Sequence, residues 1–144
     1  MKCSIFIDKN GKEEVHIFAR ERTLLVEKIE QLVKQEGISL VGKKDRCLYN
    51  IELSDVVCFL SENNKVFAML KRERYEIDEK LYELEDSLPE SFVKINKSCI
   101  ANVEMIASFD ATFAASLAVN FKNGYRDYVS RRRVKYVKER VLKK

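Results

Sequence analysis

The 144-residue sequence holds one histidine, one proline, four glycines and no tryptophan. With His16 alone, and in a segment that reads as an N-terminal strand, the commonest general base is missing from the polar connections where chemistry would sit. There is no Walker-type loop, no GxGxxG and no GxSxG, so nucleotide binding and acyl transfer have no motif support. Glu83, Glu85 and Asp86 fall on the outer face of an amphipathic helix, where a solvated surface is expected rather than an acid/base pair. Cys3, Cys47, Cys58 and Cys99 stand far apart, with no CxxC pair, which gives neither a zinc site nor a disulfide framework. They are expected as buried small hydrophobes of a reducing compartment. No apolar run approaches the roughly 18 to 20 residues of a membrane span, and no signal-peptide pattern opens the chain. These absences set aside an enzyme and predict a cytoplasmic protein that is not membrane-embedded, without metal or cofactor.

What is present is 46% apolar and 35% charged residues, enough for a packed core with a wet surface. The length suits one domain of about 100 residues and a small appendage. A net charge of +4 is modest, but it is unevenly spread. Residues 122–144 carry ten Lys or Arg against two acids, whereas residues 71–91 carry four against eight. One end should therefore present a positive surface and the middle a negative one.

Alternation at Cys3, Ile5 and Ile7, a turn at Asp8-Lys9-Asn10-Gly11, and a second run through Val15, Ile17 and Ala19 predict two strands. The period then changes. Leu24, Leu25, Ile29, Leu32 and Val33 recur at helical spacing, with Thr23 placed to cap the helix and Gly37 to end it. A short apolar patch, 38–41, and a basic turn, Gly42-Lys43-Lys44, close a ββα unit over 1–45. So small a unit must pack on the rest of the chain or on a second subunit. From Arg46 onward strand-like runs dominate, at 47–53, 56–60, 66–70 and 74–77, with Ser61-Glu62-Asn63-Asn64 as a hairpin connection. A helix over 78–88 follows, carrying Leu81, Leu84 and Leu88 on one stripe and stopped by Pro89. Strands resume at 92–95, 105–109, 117–121 and 125–129, the last two joined by Asn123-Gly124. Ser130 is then placed to cap a terminal helix striped by Val134, Val137 and Val141.

Between two of these strands lies a polar connection containing Lys97, Ser98 and Asn102. Lys97 and Ser98 suit phosphate contact, while Asn102 can bond a base edge or cap a turn. Phe92, Lys94, Ile95, Lys97, Ser98, Asn102 and Ile106 fit the spacing F-x-[RK]-[IV]-x-[RK]-S-x-x-x-N-x-x-x-I. The helix before it matches L-x-x-L-E-x-x-L at Leu81, Leu84, Glu85 and Leu88, and the end matches N-G-x-x-x-x-V-S-R at Asn123, Gly124, Val129, Ser130 and Arg131. In this ordered set the sequence resembles the LytTR family over about residues 46 to 142.

The resemblance implies an elongated LytTR-type fold, mainly β with short helices, of about ten strands, here preceded by the ββα unit. It implies a bacterial transcription regulator that reads double-stranded promoter DNA through loops meeting successive major grooves. Carried over residue by residue, the first DNA-contacting loop falls at Asn63, Asn64 and Lys65, the second at Lys97, Ser98 and Asn102, and the third at Ser130, Arg131 and Arg132. The sequence departs from the family where a frequent His-Arg-Ser is Asn96-Lys97-Ser98, which shifts base readout toward Arg132 and Asn102, because Lys acts as a point charge. The domain is expected over 46–144. Residues 1–45 are too few for a receiver domain, so the chain resembles the short stand-alone class, with the 24–33 helix a candidate homodimer surface or simple packing on its own strands. The competing reading is an interaction protein that modulates a regulatory or membrane partner through residues 1–45 and the acidic 78–90 helix.

Overall fold

The computed structural model describes residues 1–35, 39–111 and 117–142. In chain order the elements are α1 (Leu24–Gln35), β1 (Ser39–Lys44), β2 (Cys47–Glu52), β3 (Cys58–Glu62), β4 (Lys65–Met69), β5 (Arg74–Ile77), α2 (Leu81–Ser87), β6 (Phe92–Asn96), β7 (Cys99–Asn102), β8 (Ile106–Asp110), β9 (Leu117–Phe121), β10 (Arg126–Val129) and α3 (Val134–Val141). Single 3-10 turns precede β3, β8 and α3. Seven strands pair antiparallel in the order β2-β1-β5-β4-β3-β7-β6, and three in the order β10-β9-β8. The mainly β fold with short helices is thus as expected.

Successive residues of a strand point to opposite faces, and the central strands use both. Phe59 and Ile100 join Leu40, Val56, Leu81 and Leu84 in a core beneath α2. Their neighbours Cys58, Leu60, Cys99 and Ala101 join Val119, Phe121, Val129 and Val137 in a second core, beneath the three-stranded sheet and α3. Burial on both faces erases alternation, which is why β7, buried at all four positions, was not expected as a strand. It turns most of the expected 97–102 connection into sheet.

The basic turn expected at Gly42 is also strand. Gly42 is buried in the middle of β1, and a Cβ there would stand 2.6 Å from Tyr75 Cβ. Glycine marks a close approach of three strands here, not a chain reversal. The reversal comes at Asp45 and Arg46, both left-handed, with φ of 50° and 68°.

The two strands expected in the first 22 residues are not formed. The turn is present, with Gly11 N–H donating to Asp8 O at 3.2 Å and Asn10 N–H to Asp8 Oδ1 at 3.0 Å. No ladder joins the runs that flank it. A two-stranded hairpin is at best marginal in water when nothing covers it, and Phe6 and Phe18 are 90% and 93% exposed. The helix that follows is as expected, with Thr23 Oγ1 accepting from Val26 N–H at 3.3 Å; Gly37, expected to end it, lies outside the described residues. The cysteines divide: Cys58 and Cys99 are buried, whereas Cys3 and Cys47 are exposed, contrary to expectation, and all four are free thiols. A hydrogen bond with Cys58, then burial, pushes the Cys99 thiol well above its ordinary range and keeps it protonated. Among the described residues no helix is long and apolar enough to cross a membrane.

Candidate nucleic-acid interface

Two tight turns and one corner meet at one end of the seven-stranded sheet. The β3–β4 register pairs Glu62 with Lys65 and leaves a two-residue turn, Asn63 and Asn64, with φ of 53° and 63°. Asparagine tolerates that left-handed backbone, and a turn of this hand follows the twist of its strands. Both side chains are exposed. The β6–β7 register pairs Asn96 with Cys99 and leaves Lys97 and Ser98, also exposed, at the second turn. The corner follows β10, where Arg131 and Arg132 are exposed in a 3-10 turn and Ser130 is half-buried before it; its side chain makes no capping bond, contrary to expectation, because the 3-10 turn stands between it and α3.

Backbone bonds hold these segments side by side. Ser61 N–H donates to Ser98 O at 2.9 Å, joining the first turn to the second. Ser130 N–H donates to Ile95 O at 2.9 Å, joining the corner to the second turn's own strand. Asn96 completes the tie: its Oδ1 accepts from Ser98 N–H at 2.8 Å, and its Nδ2 donates to Tyr128 O at 2.7 Å and Asp127 Oδ1 at 3.1 Å. Asp127 Oδ2 accepts from the Tyr125 hydroxyl at 2.9 Å. Burial, then that hydrogen bond, raises the Tyr125 phenol well above its ordinary range, so it remains a donor. Asn96 and Asp127 are the residues that sequence reasoning undervalued. They position the turns and need not touch a ligand; the signal was an Asn directly before a two-residue turn.

Charge at this end is partly spent and partly free. The Arg133 guanidinium donates to Lys94 O at 3.0 Å and lies 3.6 Å from Glu85, which also stands 3.8 Å from the Lys94 ammonium. Arg133 therefore clamps the corner to β6 and α2, and Glu85 is not a free surface acid. Glu83 is likewise engaged, accepting from Lys80 N–H at 3.0 Å at the start of α2. Lys65 faces Glu76 at 3.6 Å. Lys97, Arg131 and Arg132 have no ion pair or side-chain hydrogen bond among the described residues and project into solvent. Unpaired cations beside exposed Asn and Ser make a surface suited to a phosphate backbone and base edges.

Asn102 does not belong to that surface. It ends β7, four residues of chain beyond Ser98, and is only 3% exposed. Its Nδ2 donates to Val56 O at 2.7 Å and its Oδ1 accepts from Glu104 N–H at 3.1 Å. Both ends of the amide are satisfied internally, so of the two uses open to Asn102, the turn cap is the one observed, and the base contact expected of it is corrected. Among the described residues no group of His, Cys, Asp or Glu could hold a metal.

Comparison with known proteins agrees with this geometry. The family profile of the LytTr DNA-binding domain matches residues 46–142. HTH-type transcriptional regulators of Staphylococcus aureus strains bovine RF122 / ET3-1 and NCTC 8325 / PS 47 are each 32% identical over 144 residues, covering 98% of this chain and 98% of their own length. A LytTr DNA-binding domain of a Bacillus cereus response regulator superposes with a TM-score of 0.68 at 21% identity, over 71% of this chain and 94% of that one. Along the described chain no α-helix follows another directly without strands between them, so recognition by a helix-turn-helix pair finds no counterpart here.

Proposed function

Because the chain belongs to the LytTr DNA-binding domain family, we propose that it regulates transcription by sequence-specific binding of double-stranded promoter DNA, entering major grooves with Asn63-Asn64-Lys65, Lys97-Ser98 and Ser130-Arg131-Arg132, as a dimer on two half-sites. A DNA-binding regulator without enzymatic activity is the coarser description that membership carries. The observation behind the finer reading is the backbone stitching of the two turns and the corner at one end of one sheet, through Ser61–Ser98 and Ser130–Ile95. Each residue type has a role that its chemistry allows. Lys97 and Arg131 neutralise phosphates, and the Ser98 and Ser130 hydroxyls bond phosphate oxygens. Arg132 holds guanine with its fork, and Asn63 and Asn64 present amides that can pair with adenine. A reading in which α2 docks a protein partner draws less support, since Glu83 and Glu85 are engaged in capping and bridging.

Enrichment of random duplexes by the protein, followed by sequencing, yields the preferred site. On that site Arg132→Ala is expected to cost roughly 1–3 kcal/mol of binding and to relax base preference at one position per half-site. Equal losses on the preferred and on random duplexes would reduce Arg132 to a phosphate contact, and no enrichment at all would remove the sequence-specific reading.

A further inference from the structure

We propose that residues 1–35 form the subunit interface of a homodimer, in which the apolar runs 3–7 and 15–19 of one copy pair with those of a second copy while the open side of α1 closes over them. The first run places Ile5, Phe6 and Ile7 in solvent, at 79%, 90% and 85% exposure, and the second places Phe18 there at 93%. Apolar side chains are thus open to solvent along a backbone that has no ladder partner. Such a segment satisfies its N–H and C=O groups and its side chains together only inside a sheet.

Beside it, α1 leaves Leu24, Leu25 and Leu32 exposed. Between α1 and the second run lies an open hollow of about 510 Å³, lined by Val15, Ile17 and Val26 but also by Glu21, Arg22 and Glu30, with no residue of the first run among its walls. Ile5, Phe6, Ile7, Phe18, Leu24 and Leu32 are each at least 66% exposed in this one short segment, a concentration of bare apolar side chains of the kind that marks an interaction surface.

Charge selects the occupant. Residues 1–35 carry seven Lys or Arg against six Asp or Glu, so the arm offers no net field to nucleic acid or to a strongly charged protein, and none that repels its own copy. A twofold axis gives each free strand edge an identical edge to meet. The match to the Staphylococcus aureus relatives also runs through the arm, over 98% of their length. In those relatives, then, hardly any further chain remains to cover it. Position agrees with a dimer too: Lys28, Gln31 and Leu32 of α1 border Ser54, Asn102 and Glu104, at the end of β7 away from Lys97 and Ser98. Joining two copies through the arm leaves both cationic ends free. This supplies the pairing that the half-site reading requires, and it is tested without DNA, so the failure of one is distinguishable from the failure of the other.

Sedimentation of the full chain, with thiols kept reduced because Cys3 and Cys47 are exposed, is expected to give twice the 16.9 kDa of one chain. Amide hydrogen exchange should be protected across residues 3–7 and 15–19. The double variant Phe6→Asp with Phe18→Asp should sediment as one chain, lose that protection and keep the cooperative unfolding of the β body. If that variant does not fold, Leu25→Glu on α1 is read in the same way. A single-chain mass for the wild type, a double variant that remains dimeric, or unprotected amides in the two runs would each overturn the proposal.

Discussion

The β3–β4 hairpin and the first 19 residues start from similar material: two short apolar runs around a turn of Asn, Asp or Gly. In the hairpin, β5 and β7 pair with the outer edges, and cores on both faces bury Cys58 and Phe59 completely. In the arm the same kind of pattern stays in solvent around its turn. Alternation states which residues want to share a face, but a strand forms when neighbours supply both the hydrogen bonds and the cover. The hairpin finds them within its own chain; the proposed dimer would supply them to the arm from a second copy.

The contrast can be broken most strongly at its two phenylalanines. Phe59→Ala is expected to lower unfolding stability by about 3–5 kcal/mol, as for a large aromatic removed from a packed core. Phe18→Ala should leave the dilute limit of stability within about 0.5 kcal/mol and change only its dependence on protein concentration. Denaturant titration at several concentrations reads both, and an arm residue that destabilised the dilute monomer would place the arm in the core after all.

Asn102 and Arg132 sharpen the distinction between strut and contact within the body. Asn102→Ala strips partners from Val56 O and Glu104 N–H, and is expected to cost roughly 1–3 kcal/mol of stability while the folded fraction keeps its DNA preference. Arg132→Ala should do the reverse, with stability unchanged within about 0.5 kcal/mol. A variant at Asn102 that bound DNA with altered base preference would return that residue to the interface. Gly42→Ala is expected to cost about 1–3 kcal/mol by crowding Ile51 and Tyr75 on the strands either side of β1. The smallest effect belongs to Lys97→Ala, which should lower the slope of log affinity against log salt by about one without changing the preferred site. Titrations at graded ionic strength measure it, and an unaltered slope would take Lys97 off the phosphate backbone.

Residue order by itself determined eight of the ten strands, both body helices and their stripes, the Asn63–Asn64 and Asn123–Gly124 turns, and the cap at Thr23. These are set by local rules: period, turn chemistry and capping act over a few residues. The spacing of Phe92 through Ile106, with the flanking patterns, also located the Lys97–Ser98 turn and the Ser130–Arg132 corner that now lie together. Tertiary structure alone decided the rest. It made β7 a strand by burying both its faces, made Gly42 an in-strand contact, and left residues 1–22 without a ladder. It also sorted the polar residues, turning Asn102 and Arg133 inward and leaving Lys97, Arg131 and Arg132 outside. The physical reason is that burial and the pairing of charges depend on what the chain brings near from far along its length, and no short window of sequence contains that neighbour.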